Sequence, residues 1–277
     1  MAEALLMTVV VRSLGSGSSG NALLIETERS CLLVDCGTSA RSIAAALQRT
    51  AAGAGGLTTL LLTHEHTDHV RSLPRLSLRG VRVVATPGTA RALGLPNDLV
   101  TPIELGGQLA LADATVTALG VSHDAAEPCG YSIVAGDTPI TVITDLGEPD
   151  ARLCKPVAAS DLIVIEANHD AEMLRRGPYP APLKRRVGAP TGHLSNADCG
   201  ILLREALARS NRSRTIWLAH LSAVNNRPEI AVSTVTDAIG EQAAFHSIVP
   251  LPRTGRPISW RSNGATPVTQ SQQLTLL

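Results

Sequence analysis

The chain has 277 residues, with 24 Lys and Arg balanced by 24 Asp and Glu, and its aromatic residues are two Trp, two Tyr and one Phe. That length can bury a sizeable core in one large domain or two small ones, and the core must be built from Leu, Val, Ile and Ala. A formal net charge of zero excludes a global field that recruits nucleic acid, so any polyanion would have to be gripped locally.

Residues 1–7 carry Glu3 and no basic n-region, so no signal peptide is read there. Thr8–Leu14, Ala22–Glu26 and Cys31–Val34 are short apolar runs bounded by turn residues and predict three successive strands. Ser39–Arg49 predicts a helix with Ser39 as N-cap and Ile43, Ala46 and Leu47 on one face. Thr58–Leu62 predicts a strand, Asp68–Leu76 a helix interrupted near Pro74, Arg82–Thr86 a strand, and Gly88–Leu93 a short helix after Pro87. Ala114–Leu119, Tyr131–Ala135, Ile140–Ile143 and Leu162–Ile165 follow as strands. The last of these is apolar throughout, as expected of a strand covered on both faces. A helix at Ala197–Leu207, a strand at Thr215–Leu218 and a helix at Pro228–Ile239 complete the series. Two mixed β-sheets flanked by helices would bury all of this, giving an α/β protein of αββα sandwich type. The expected organisation is one domain over residues 1–264 and a polar, flexible tail at 265–277.

Cys31, Cys36, Cys129, Cys154 and Cys199 are odd in number and lack CxxC spacing. They read as reduced thiols of a cytoplasmic protein rather than a disulfide frame. No apolar run reaches the roughly 20 residues that span a bilayer, so no membrane partner is expected. Oligomeric state is not readable.

The densest chemical signal is Thr63-His64-Glu65-His66-Thr67-Asp68-His69 at the end of the Thr58–Leu62 run. Imidazole nitrogen and carboxylate oxygen are the donors that Zn²⁺, Mn²⁺ and Fe²⁺ take. His123, Asp145 and His220 each stand at the end of another apolar run. Taken singly, each is more readily a hydrogen-bonded surface residue than a ligand; beside the first cluster they read as the missing ligands. The expected wiring puts His64, His66 and His123 on one divalent ion and Asp68, His69 and His220 on a second. Asp145 would bridge the two, because dications about 3.5–4 Å apart repel. A water held between such ions loses pKa and becomes a nucleophile.

These motifs resemble the metallo-β-lactamase superfamily over nearly the whole chain. Leu14–Ala22, Ser122–Pro128, Thr144–Gly147, Glu166–Asp170, Gly192–Asn196 and His220–Ser222 with Asn225 and Asn226 are similar to its YycJ/WalJ group. The resemblance implies the αββα fold, two metals between the sheets and a DNA exonuclease working 5′ to 3′. His66 stands where a carboxylate would suggest a redox diiron site, and Asp145 where a thiol would suggest a lactam hydrolase. Ser122 stands where relatives similar to glyoxalase II carry Gly.

The resemblance also suggests His193 as the group that protonates the leaving oxygen, with Asp68 and Asp145 orienting the nucleophile. It sets the loop Gly15–Asn21 beside the metals, so that Ser18, Ser19, Asn21 and backbone amides would meet phosphate or metal-bound water. Asn196 joins the expected substrate contacts. His169 is read as supporting the ligands or facing substrate, and His246 as structural. Met173–Arg186 is the densest basic stretch. It is expected to be an ordered loop in which Lys184, Arg185 and Arg186 grip a nucleic-acid backbone and Tyr179 stacks on a base. A solvated basic loop is the plainer alternative. The leading expectation is therefore a two-metal phosphodiesterase acting on DNA ends. A small-molecule phosphodiester or thioester hydrolase and a non-enzymatic metal-bound regulator are the competitors.

Overall fold

The structure, a computed structural model, describes residues 7–50, 56–208, 210 and 212–262. The expected tail at 265–277 lies outside them.

Fourteen strands form two sheets of seven among these residues. The first sheet takes β1 (Val10–Gly15), β2 (Ala22–Glu26), β3 (Cys31–Val34), β4 (Thr59–Leu61), β5 (Arg82–Ala85) and β6 (Val100–Pro102) from the first half of the chain. The second takes β7 (Gln108–Ala110), β8 (Ala114–Gly120), β9 (Cys129–Ala135), β10 (Thr138–Ile143), β11 (Leu162–Glu166), β12 (Arg214–Ala219) and β13 (His246–Pro250). The last strand, β14 (Ile258–Arg261), returns to the first sheet beside β1. In each sheet one half is antiparallel and the other parallel: β3, β4, β5 and β6 run parallel, as do β10, β11, β12 and β13.

Val11, Ile25, Leu32 and Leu61 pack between the sheets against Val116, Ile133, Val142 and Trp217. Outside the first sheet, α1 (Ala40–Leu47) buries Ile43 and Ala46 against Leu24, Leu33 and Leu60. Its N-cap Ser39 accepts a hydrogen bond from the Ser42 amide, as the sequence predicted. Outside the second sheet, α4 (Cys154–Ala159), α7 (Asn196–Leu207) and α8 (Pro228–Ile239) cover Ile143, Ile163 and Ile216. The order helix, sheet, sheet, helix is the expected sandwich. Tyr131 ties the layers together, its buried hydroxyl donating to the Leu62 carbonyl at 2.7 Å, just beneath the histidine-rich turn.

Several elements differ from expectation. The segment Asp68–Leu76 forms only α2 (Thr67–Val70) and a 3₁₀ turn at Leu73–Arg75 that admits Pro74 in its first turn. Pro87 begins α3 (Pro87–Ala92) instead of preceding it. The stretch Met173–Arg186 is not a loop. It contains α5 (Ala171–Arg176) and α6 (Ala181–Val187). The prolines misled: Pro182 occupies the first turn of α6, where a missing N–H costs nothing, and Pro178 and Pro180 only break the chain between the two helices. The short strands β6, β7, β13 and β14, and helix α4, were not foreseen.

All five cysteines are free. Burial pushes the thiols of Cys31, Cys36, Cys129 and Cys199 upward, which suppresses the reactive thiolate. No described helix is long and apolar enough to cross a membrane.

Candidate metal centre

The parallel strands deliver their carboxyl ends to one edge of the sandwich, where open α/β sheets gather functional groups. His64 follows β4, Asp145 follows β10, Glu166 ends β11 and His220 follows β12. Asp35, Asp145 and His220 all have φ between 56° and 58°, a left-handed conformation uncommon outside glycine. Each strand thus ends in a sharp, strained turn that aims a side chain into the same space.

The nitrogens of His64, His66 and His123 lie within 4.8 Å of one another, as do the donor atoms of Asp68, His69 and His220. Between the sets stands buried Asp145. Its Oδ2 lies 3.0 Å from His69 Nε2 and its Oδ1 3.7 Å from His123 Nε2.

Hydrogen bonds set which nitrogen each imidazole presents, because a ring held through one nitrogen offers the other. His69 Nδ1 meets Asp35 Oδ2 at 2.7 Å, and Asp35 also accepts from the Thr63 amide and hydroxyl. Thr63 Oγ1 in turn lies 3.1 Å from His64 Nδ1. His123 donates Nδ1–H to the Gly192 carbonyl at 2.9 Å. His220 Nδ1 meets Glu166 Oε1 at 2.8 Å. Four rings are thereby pinned at Nδ1 and present Nε2 inward. His66 turns the other way, its Nδ1 lying 3.3 Å from His123 Nε2.

Electrostatics follow burial and charge. Burial first, then neighbouring His69, holds His64 well below the usual imidazole range. Burial also opposes protonation of His69 and His220, but Asp145 and its fellow carboxylates outweigh it and raise both, His220 to about 10. His64 Nε2 is buried with no hydrogen-bond partner, an uncompensated lone pair in a dry interior. That orphan atom, and a donor set of imidazole and carboxylate, fit a pair of divalent cations.

His193 lies beside this centre, its ring centroid 5.2 Å from that of His123 and 5.1 Å from that of His220. Its Nδ1 bonds Glu166 Oε1 at 2.9 Å. Burial lowers the His193 imidazole, yet the Glu166 carboxylate more than reverses this and raises it. Glu166 is fully buried and also accepts the amides of Leu146 and Leu194. Burial pushes its carboxyl up, but His193 and His220 bring it down to about 2.

The expected substrate contacts fare differently. Ser18 is exposed and lines the cavity over the centre. Asn21 is buried and engaged: its Oδ1 accepts from the Gly17 amide at 2.7 Å, and its Nδ2 lies 3.0 Å from His69 Nε2. The amides of Gly17, Gly20 and Asn21 are bonded within the chain, so this loop offers fewer donors than expected. Ser19 uses its carbonyl to accept from Arg71. Asn196 is buried in a carboxamide pair with Asn226 at 3.0 Å. His169 is buried and bridges in register to Ser195. Lys184 donates to the Arg175 carbonyl at 2.8 Å, tying α6 to the end of α5. Of Lys184, Arg185 and Arg186, only Arg186 lines the cavity. It pairs with Asp124 at 2.6 Å, whose other oxygen lies 3.4 Å from His123 Nε2. His246 sits in β13 in register with Arg214, apart from the centre.

Asp35 and Glu166 escaped sequence reasoning. Each is a charged residue closing an apolar strand, a signal that was present but undistinguished.

Residues 31–220 match the family described as the beta-lactamase superfamily domain. The chain is 34% identical to exodeoxyribonuclease YycJ of Bacillus anthracis, an alignment covering 83% of this chain and 88% of that one. It is 36% identical to exodeoxyribonuclease WalJ of Streptococcus pneumoniae, over 82% of this chain and 87% of the relative. The metallo-beta-lactamase fold protein YhfI of Bacillus subtilis superposes with a TM-score of 0.69 at 16% identity, covering 92% of this chain and 99% of the other. That last likeness concerns the fold alone.

Proposed function

This chain belongs to the metallo-β-lactamase superfamily, within its YycJ/WalJ-like branch of hydrolases, and from that premise we propose that it is a two-metal phosphodiesterase that digests DNA from the 5′ end. One observation carries the reading: two donor clusters flank a shared carboxylate, Asp145, and His193 faces the same cavity with its carboxylate partner Glu166 behind it. The names of the two relatives supply the deoxyribonucleic substrate.

His64, His66 and His123 would hold one cation, Asp68, His69 and His220 the other, with Asp145 between them. Such a pair, when bound, polarises a phosphodiester and acidifies a water. The chain's own groups do the rest. Asp68 lines the cavity and orients the attacking water, taking its proton. A P–O bond forms to that oxygen and the P–O3′ bond breaks. The departing O3′ receives a proton from His193 Nε2, whose ring Glu166 orients and whose acid form it favours. A positioned acid of this kind contributes about 10²–10⁴-fold.

Elemental analysis of the freshly purified protein, followed by an assay on end-labelled single-stranded DNA, tests this reading. Two equivalents of Zn²⁺, Mn²⁺ or Fe²⁺ and 5′-end digestion are expected, and His64→Ala should lose both metal and cleavage. Activity confined to cyclic nucleotides or a glutathione thioester would overturn it, and so would two bound metals with no turnover of any phosphodiester.

A further inference from the structure

Two cavities meet at the metal centre. One, of about 370 Å³, lies over His66, Asp68 and Asp145. The other, of about 160 Å³, shares Ser18, Arg186, His193 and His220 with the first but is walled by Tyr179, Leu183 and Val187. Nothing in the chemistry described so far uses this second space.

We propose that the second cavity is a subsite for one terminal nucleoside, the one bearing the leaving oxygen, with Tyr179 as its stacking platform. The proposal rests on the phosphodiesterase reading above and adds which part of the substrate lies where.

The walls fit a base and sugar better than a phosphate. Tyr179 contributes an aromatic side chain to the lining, Leu183 and Val187 aliphatic surface, and Asn168, Ser222 and Asp124 polar groups. The one full cation here, Arg186, is paired with Asp124 and stands where the cavities join. The platform is rigid. Tyr179 sits between Pro178 and Pro180, in the short connection of α5 to α6, and Lys184 ties the two helices together. A preorganised ring costs little ordering entropy on binding.

Placement sets polarity. His193 lines both cavities and is pinned at Nδ1, while Asp68 and Asp145 line only the first, so with the scissile phosphate in the first cavity the second is left for the group on the oxygen that His193 protonates. In a cleavage that leaves the phosphate on the 5′ carbon, that oxygen is O3′. The nucleoside beside His193 therefore lies on the 5′ side of the cut. Helix α6 walls this cavity through Leu183 and Val187. With one nucleoside in the subsite, the released unit is a mononucleotide, and digestion starts at a 5′ end.

The test uses the metal-loaded full chain. Unaltered protein, Tyr179→Ala, Tyr179→Phe and Leu183→Trp are titrated with thymidine 5′-monophosphate by calorimetry. The same proteins are assayed on single-stranded DNA with product lengths resolved. Tyr179→Ala should weaken the mononucleotide about tenfold, within the range of a lost base–aromatic stack, and raise KM for DNA similarly. Tyr179→Phe should retain affinity, and Leu183→Trp should lose it by filling the space. Products should be mononucleotides from the first turnovers. Unchanged mononucleotide affinity in both Tyr179→Ala and Leu183→Trp would overturn the subsite, as would first products of two or more nucleotides. Bis(4-nitrophenyl) phosphate, assayed with the unaltered protein, separates the two levels. If it is hydrolysed while the mononucleotide does not bind, the subsite fails and the phosphodiesterase stands. If neither it nor DNA is hydrolysed, the proposed function fails, and the titration still decides the subsite.

Discussion

Asp35 Oδ2 lies 2.7 Å from Nδ1 of His69, and both side chains are buried. The same carboxylate also receives the amide and hydroxyl of Thr63, so one residue at the end of β3 organises the turn that carries four of the seven candidate ligands. Partners of this kind orient a ligand and raise its basicity, and their loss costs about 10–100-fold in metal affinity. Asp35→Asn keeps the size and tolerates the positive φ but removes the charge. It should lower affinity for the ion nearer His69 by at least about tenfold, measured by competition with a chromophoric chelator. Unchanged affinity would remove Asp35 from the centre.

Glu166 holds His193 and His220 through a single oxygen. Glu166→Gln should lower kcat by about 10²–10³-fold. The sign of its pH effect follows from charge. The carboxylate raises the His193 imidazole, so without it the acid form survives only to lower pH. The alkaline limb of the kcat profile should move downward by measurable fractions of a pH unit. A limb that stays in place would assign proton donation to another group.

Removing metal should destabilise the protein. A ligand present at about 1,000 times its Kd adds about 4 kcal/mol to the folded state. Chelation should therefore lower Tm by several degrees in scanning calorimetry, and readded metal should restore it. His64→Ala should have a smaller gap between its chelated and loaded forms. Identical Tm values for loaded and chelated protein would show that these clusters bind no ion.

A Cβ on Gly37 would lie 1.6 Å from the Asp68 carbonyl oxygen. That carbonyl is itself held by the Asn21 amide at 2.8 Å, so it cannot yield cheaply. Gly37→Ala should cost about 1–3 kcal/mol or more by overpacking and disturb Asp68. Urea denaturation and metal content check it together. Loss of stability with full metal occupancy would mean that the turn moves without moving the ligand.

Arg186 and Arg185 are neighbours with different surroundings. Arg186→Ala should weaken DNA binding and reduce the slope of log affinity against log salt by about one, as expected for one lost phosphate contact. Arg185→Ala should change neither appreciably. Fluorescence anisotropy over a salt series measures both. Equal effects would mean that cavity lining does not decide the contact.

The architecture was legible because alternating apolar runs and capped helices are local signals. The fully apolar Leu162–Ile165 run announced a central strand covered on both sides, and Ser39 announced the start of α1. The clustering of His64, His66, Asp68 and His69 was legible because they share one strand end. The environment of that cluster was not. Asp35 and Glu166 act through distances across the fold, and nothing next to them in the chain records those distances. The internal bonds of Asn21 to Gly17 and of Asn196 to Asn226 likewise leave no mark on the neighbouring sequence. The prolines of the α5–α6 segment were read as breakers when one of them starts a helix.

The two donor sets draw on both sheets: the turn after β4 belongs to one, and the strands before His123, Asp145 and His220 to the other. Neither half of the sandwich can assemble the cage alone. With the ligands as proposed, a complete cage would therefore form only after residue 220 has left the ribosome and the halves have docked. Unlike a zinc finger, whose ion drives its own folding, this chain must find its architecture first, and the rate of metal uptake during refolding becomes a clock for the joining of the layers.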